Sequence, residues 1–335
     1  MMINNLKIKK IFKGKTILIT GGTGSFGSTM LKKIISQDCR IKIFSRDELK
    51  QDIMRSKIKN KNVDFIIGDV RDKDSVDSAM RGVDIVFHAA ALKQVPSCEF
   101  FPEQAIATNI IGSNIVFNSA IKNNASKVVA LSTDKSVLPI NAMGMSKSLM
   151  EKTLLSKARN KKNKTIFSIV RYGNVIYSRG SVIPLFSRQI IDGKDITITN
   201  PEMTRFLITL DDAISLVFLA LDKGMGGDIF IKKSAASTID QLAKCIKELF
   251  NSDQKIKIIG TRHGEKIYET LATKQELSFC ENNKDYYRIK LDSRDLNYDD
   301  YFKKGKYQII EEDYTSHNTN RLSDTELKKI FVNIP

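Results

Sequence analysis

Residues Ser132 to Lys147 read STDKSVLPINAMGMSK. Asp134 and Lys135 are adjacent, so an acid and a base stand side by side. Thr133 precedes them with a hydroxyl able to donate and accept hydrogen bonds. Lys147 follows Met143 by four residues, a spacing that puts both on one face of a helix. A lysine at such a place suits the ribose of a nicotinamide nucleotide, and its charge lowers the pKa of a neighbouring acid. The plainer reading of Asp134 and Lys135 is a surface ion pair or a helix cap.

These groups need a frame. KTILIT, RIKIFS, VDFII, VDIVFH, ASKVVAL and KTIFSIV are short apolar runs rich in β-branched residues, separated by helical patterns. Strands alternating with helices predict a doubly wound α/β fold with a parallel sheet. EQAIATNIIGSNIVFNSAIKNN reads as a helix, and DAISLVFLALDKG as a short buried one. The expected division is a dinucleotide-binding Rossmann part, residues 1–178 plus 206–235. A smaller substrate-binding part with a C-terminal extension takes 179–205 plus 236–335. In an open parallel sheet the C-terminal ends of strands face the ligand crevice. STDK follows the fifth strand and therefore falls there.

TGGTGSFG follows the first strand and opens a helix, with Gly21, Gly24 and Gly27 three apart. Such glycines let backbone approach a pyrophosphate seated on a helix N-terminus. Thr23, Ser25 and Phe26 belong to the same turn. An NAD site usually places an acid at the end of the second strand. Here Ser45 and Arg46 come first. A guanidinium pairs with a 2′-phosphate, so the expected cofactor is NADP. Asp69 and Val70 are placed to meet the adenine. Ala89, Ala90 and Ala91 end the fourth strand, where small residues admit the nicotinamide ribose or simply pack closely.

Composition narrows the classes. The chain has 335 residues, 54 basic and 38 acidic, for a net charge of +16. The lysines are spread along the chain, and no nucleic-acid-binding signature appears, so no nucleic-acid partner is expected. A basic surface also suits a polyanionic nucleotide. No apolar run approaches a membrane span, and no signal-peptide core precedes the first strand. The expectation is a soluble, cytoplasmic protein. Four cysteines without C-x-x-C spacing and three dispersed histidines give no expected disulfide or metal site. His88 and His317 read as structural.

TGGTGSFG, FSRDE, GDVRD, HAAALKQVP, ATNIIGSNIV, STDKSVLPINAMGMSK, VRYGNVIYSRGSVIPLF and MTRFLIT occur in order. Together they resemble the extended short-chain dehydrogenases/reductases. More narrowly they are similar to bacterial UDP-N-acetylglucosamine 4,6-dehydratases that invert C5. GEKIYETL and DYTSHNTNRL resemble the capsule and O-antigen branch leading toward UDP-N-acetyl-L-fucosamine. The resemblance covers nearly the whole chain and is weakest over residues 280–306.

The resemblance implies that NADP stays bound and oxidises the sugar at C4. The 4-keto group acidifies C5–H, water leaves from C6, hydride returns to C6, and protonation on the opposite face inverts C5. The product's 4-keto group leaves further inversion at C3 open. Lys135 matches the C5 base and Asp134 the acid for the leaving hydroxyl. A lysine base must be partly neutral, so a depressed pKa is expected for Lys135. Lys147 matches the cofactor-binding lysine. Met143 departs from the tyrosine that related enzymes use to take the C4 hydroxyl proton, since a thioether is no base. Some members carry Met there, which makes it a subtype mark. Asp134, or a water held by Thr133 and Lys147, is left to take that proton. Asn174 matches a substrate contact. Arg179, Ser181, Arg205 and Arg262 supply polar or basic groups for a sugar diphosphate. Lys93 and Glu265 match positions near the sugar and uridine. The family also implies a homo-oligomer, dimer or hexamer. Three other readings stay open. They are a UDP-hexose 4-epimerase of the same fold, a non-catalytic NADP-binding protein, and a basic nucleic-acid binder.

Overall fold

Six apolar strands come first: β1 (Lys15–Thr20), β2 (Cys39–Ser45), β3 (Val63–Ile67), β4 (Ile85–His88), β5 (Lys127–Leu131) and β6 (Ile166–Arg171). They are seen in a computed structural model that describes residues 5–178, 180–292 and 310–332. All six are parallel and lie in the order β3-β2-β1-β4-β5-β6. This is the Rossmann order, with its reversal between β1 and β4. The strands after it are β7 (Asn174–Val175), β8 (Ile196–Ile198), β9 (Thr204–Ile208), β10 (Asp228–Lys232), β11 (Ala236–Thr238), β12 (Ile256–Ile258), β13 (Thr270–Ala272), β14 (Cys280–Asn282), β15 (Tyr286–Ile289) and β16 (Tyr314–Thr315). β10 extends the sheet in parallel beyond β6. β15 and β14 then close that edge antiparallel, giving nine strands. Sequence reading had placed residues 280–289 with the second part of the chain; their strands run along the first part's sheet.

Helices cover both faces, as burial of a parallel sheet requires. They are α1 (Asn5–Phe12), α2 (Ser25–Ile34), α3 (Glu48–Lys57), α4 (Lys73–Met80), α5 (Val95–Phe100), α6 (Pro102–Ala105), α7 (Ser113–Lys122), α8 (Ala142–Arg159), α9 (Val182–Ile191), α10 (Leu210–Lys223), α11 (Ile239–Leu249), α12 (Lys274–Leu277) and α13 (Asp324–Val332). Strand residues alternate between two cores. Leu18, Val128 and Ala130 face a cluster with Met80, Phe117 and Met150 from α4, α7 and α8. Ile17, Ile19, Val129 and Leu131 face Phe12, Met30 and Val217 from α1, α2 and α10. A third core gathers Ile183, Phe186, Ile198, Met203, Leu242 and Leu327 from the later elements. It holds the smaller sheet β11-β9-β7 beside the ends of the large one.

The expected single helix over residues 103–124 is broken. Between α6 and α7 the chain makes a wider π turn, Ile106–Gly112. Such insertions cluster at functional places. Here the turn carries Asn109, which accepts from Leu92 N and donates to Leu92 O and Ser146 Oγ. It ties the loop after β4 to α8. No helix among the described residues is long and apolar enough to cross a membrane.

Candidate active site

A cleft of about 810 Å³ runs along the C-terminal ends of the parallel strands. A second cavity of about 250 Å³ joins it, and Lys135, Asn174, Gly180 and Ser181 line both. Lys135 therefore stands where one space opens into the other.

The long cleft begins at the glycine turn. Gly21 has φ +65, and a Cβ there would sit 2.8 Å from Ala90 N and 2.9 Å from Ala89 C. Only glycine combines that backbone with that proximity. Gly24 precedes α2 and caps it with no side-chain bond, leaving the first N–H groups of α2 facing the cleft without a side-chain acceptor. Thr23, Ser25, Phe26, Gly27, Ser45, Arg46, Val70, Ala89, Ala90 and Lys93 line it as well. Thr23 Oγ1 and Ser45 Oγ are 2.8 Å apart. Arg46 lies half exposed with Nη1 3.5 Å from Asp69 Oδ2. Asp47, the acid nearest the strand end, accepts from Lys50 N and so caps α3. Asp69 does not line the cleft; its carboxylate is held by Arg71, with Arg46 nearby. Burial would raise its pKa, but those hydrogen bonds and charges hold it below the ordinary carboxylate value.

The STDK turn is built by three devices. β5 ends at Leu131, and Ser132 N and Asp134 N donate to Val170 O and Tyr172 O. Thr133 Oγ1 then accepts from Lys135 N and starts a single 3₁₀ turn, Asp134–Ser136. Ser132 Oγ and Ser136 Oγ both donate to Glu151 Oε1 on α8. Arg171, at the end of β6, grips Glu151 at 2.7 Å and Glu276 of α12 at 2.8 Å. Burial of Glu151 would raise its pKa, yet Arg171 and the two serines hold it well down. Asn141 caps α8 by accepting from Gly144 N, and donates to Gly264 O.

Within this frame Asp134 is wholly buried behind Thr133 and Lys135 and lines neither cavity. Its Oδ1 accepts from Thr133 Oγ1 at 2.9 Å and from Lys135 Nζ at 3.0 Å. Its Oδ2 has no partner. Lys135 Nζ also lies 3.2 Å from Glu269 Oε1. Burial alone would lower the Lys135 pKa, but Asp134 and Glu269 outweigh it and the net direction is up. The expected depressed lysine is thus corrected: two carboxylates hold Lys135 charged.

Lys147 is the opposite case. It is buried, lines the long cleft, and donates to Leu131 O at 2.7 Å. Burial pushes its pKa down to about 8, with Glu151 partly opposing. Met143 also lines the cleft and packs with Cys98 and Ala105. His88 sits deeper, between Thr20 Oγ1 and Ser113 Oγ at 2.8 Å each. Burial and the Lys147 charge lower its pKa to about 3, so it is neutral. His317 Nδ1 lies 2.7 Å from Thr204 Oγ1.

In the second cavity Asn174, Ser181, Arg205, Arg262 and Glu265 are all present. Arg205 is buried with Nη2 3.7 Å from Glu265 Oε1 and Nε 3.9 Å from Glu269 Oε1. Asn174 Oδ1, Ser181 Oγ and Glu269 Oε2 are buried polar atoms without a protein partner. Such atoms are costly unless something else bonds them, which marks a site built for a polar ligand. Arg179 lies outside the described residues. Two members of this wall were absent from the sequence reading, Glu269 and Lys266. Both lie inside GEKIYETL, and an acid four residues after Glu265 was the available signal.

The strand order, the glycine cradle and the lysine four residues after Met143 on α8 define an extended short-chain dehydrogenase/reductase fold with a dinucleotide-type cleft. The chain belongs to the family described as Polysaccharide biosynthesis protein, whose model matches residues 17–291, and the model for that family's C-terminal part matches 292–335. A protein of Rickettsia bellii (strain RML369-C) named UDP-glucose 4-epimerase is 55% identical over 331 residues, 97% of each chain. A Rickettsia akari (strain Hartford) protein of the same name is 53% identical over the same share. The X-ray structure of Pen from Bacillus thuringiensis is 35% identical, with TM-score 0.89 over 96% of this chain and 98% of that one. DesIV, a dTDP-glucose 4,6-dehydratase of Streptomyces venezuelae, has TM-score 0.69 at 20% identity over 75% and 86% of the two chains, a likeness of fold.

Proposed function

We propose that this chain is an NADP-dependent UDP-N-acetylglucosamine 4,6-dehydratase that inverts C5, and so makes a 4-keto-6-deoxy sugar nucleotide for surface polysaccharide. The observation that carries the reading is Lys135 set between Asp134 and Glu269 where the two cavities meet. Acid–base groups massed beside a nucleotide cleft suit loss of water at C5 and C6. A 4-epimerase needs only a proton acceptor at the C4 hydroxyl, and the tyrosine usual for that task is replaced by Met143.

The residues present fit a dinucleotide: the N-terminus of α2 behind Gly24 faces the cleft and suits a pyrophosphate, and Arg46 at the cleft edge suits a 2′-phosphate. When bound, that cofactor supplies the hydride acceptor for C4 and the hydride donor for C6. Lys147 would hold the ribose and lend positive charge to the C4 oxygen. Asp134, reached through the Thr133 hydroxyl, would take the C4 hydroxyl proton and pass it to the leaving C6 hydroxyl. Lys135 faces C5. Asn174, Ser181, Arg205 and Arg262 would orient the sugar diphosphate. The protein would work as a homo-oligomer in the cytoplasm.

The second reading is a UDP-hexose 4-epimerase, favoured by the names of the Rickettsia relatives. One experiment separates them. The protein is incubated in deuterated water with UDP-N-acetylglucosamine, and separately with UDP-glucose, and followed by NMR. A 4-keto-6-deoxy product deuterated at C5 is expected, and Lys135→Ala should abolish it. Conversion of UDP-glucose to UDP-galactose without deuterium at C5 would instead establish the epimerase.

A further inference from the structure

Resting on the dehydratase reading, we infer that Glu269 is a further catalytic acid–base residue, the group that relieves Lys135 of its proton so that the amine can act at C5. Three observations carry this. Glu269 Oε1 lies 3.2 Å from Lys135 Nζ, within reach of direct proton transfer. Glu269 lines the second cavity, whereas Asp134 stands behind the wall. Its second oxygen, Oε2, is buried and unpartnered.

An ammonium is no base. Lys135 therefore needs a proton acceptor before it can take a proton from carbon. The charges facing it are Asp134, Glu269 and Arg205, with Glu265 and Lys266 just beyond. A sugar filling the cavity excludes water from the pair. Desolvation penalises the two charged forms together and favours the neutral amine beside the neutral acid.

The step balances. Glu269 Oε1 takes the proton from Lys135 Nζ. The freed lone pair takes the C5 proton as the C5–H electrons form the C5–C6 double bond and the C6–O bond breaks, the hydroxyl leaving as water with the proton that Asp134 took from the C4 hydroxyl. After hydride has reached C6, a water on the opposite face gives a proton to C5, and the hydroxide left takes the proton held by Glu269. Lys135 is then again an ammonium and Glu269 a carboxylate. Removal by Lys135 on one face and protonation from the other invert C5.

The test is Glu269→Gln, with turnover of UDP-N-acetylglucosamine in deuterated water followed by NMR and sugar-nucleotide binding followed by calorimetry. The expected result is a loss of C5-deuterated product of roughly 100-fold or more, with binding within about threefold of wild type. Turnover within threefold of wild type would overturn the inference. So would lost turnover accompanied by more than tenfold weaker binding, which would make Glu269 a binding or structural residue. If Glu269→Gln does not fold, Glu269→Asp decides: at least tenfold slower C5 chemistry with binding kept supports the inference, and unchanged C5 chemistry overturns it. Wild type is run alongside. Absence of product there would sink the dehydratase reading and this inference with it, whereas active wild type with an active variant sinks the inference alone.

Discussion

Lys135 is partly buried and Lys147 fully so, yet their pKa values move in opposite directions. Around Lys135 two carboxylates within 3.2 Å outweigh the loss of hydration. Around Lys147 the carboxylate of Glu151 is already committed to Arg171, Ser132 and Ser136, and burial wins. A group with pKa about 8 is charged at neutral pH and loses that charge as pH rises past it. Binding of a polyanionic dinucleotide to the free protein should therefore be level below pH 8 and weaken above it. Fluorescence titration with NADP and NAD across pH checks this. Lys147→Gln should remove the pH step. In the same titrations NADP should bind at least tenfold more tightly than NAD, and Arg46→Ala should close the gap. An equal preference for NAD in the unaltered protein would end the case for NADP.

At the scale of elements, α8 is pressed against the STDK turn. A Cβ on Gly144 would lie 2.2 Å from Lys135 O, with Pro139 Cβ at 3.1 Å. Replacing a helical glycine by alanine normally gains up to about 1 kcal/mol of helix propensity. Here the overlap meets backbone, and overpacking of about 1–3 kcal/mol wins. Gly144→Ala should lower the melting temperature and cut turnover more than tenfold by displacing Lys135, while Lys152→Ala, at an exposed position of the same helix, serves as a control. A stabilised, fully active Gly144→Ala would show that the contact is slack. This helix also shows what a sequence makes visible. Its Lys147 and the STDK turn before it are near one another in the chain, so spacing alone exposes them. The glycine cradle is local in the same way. Glu269 is not, because it reaches Lys135 only through the fold. The charge on Lys135 was misjudged for that reason. The π turn at Ile106–Gly112 was likewise hidden, since a turn of that kind leaves the apolar pattern of a helix intact.

Across the whole molecule the first six strands were plain in the sequence, because buried parallel strands read as apolar runs. The edge strand β14 and its neighbour β15 were not, since CEN and YYRI are short and carry polar residues. Between these far-apart regions runs one buried brace. Arg171 binds Glu151 from the core helix and Glu276 from the C-terminal segment. Removing one member of a buried pair strands the other charge and costs about 3–5 kcal/mol. Arg171→Met should be destabilised by that order in urea unfolding, and Arg171→Met with Glu151→Met should recover most of it. If the double variant is no more stable than the single one, the cost lies in packing and the ion pair is incidental.

Arg171 and Glu276 are 105 residues apart. During synthesis the glycine turn, all six leading strands and the STDK loop leave the ribosome well before the second carboxylate that steadies Arg171. A growing chain can therefore form the half that carries the glycine turn early, while the STDK turn gains its full support only when the last quarter of the protein has arrived. Premature termination between those points would leave a chain with a cofactor cleft and an unsteadied turn, one that could sequester dinucleotide without completing the reaction on sugar.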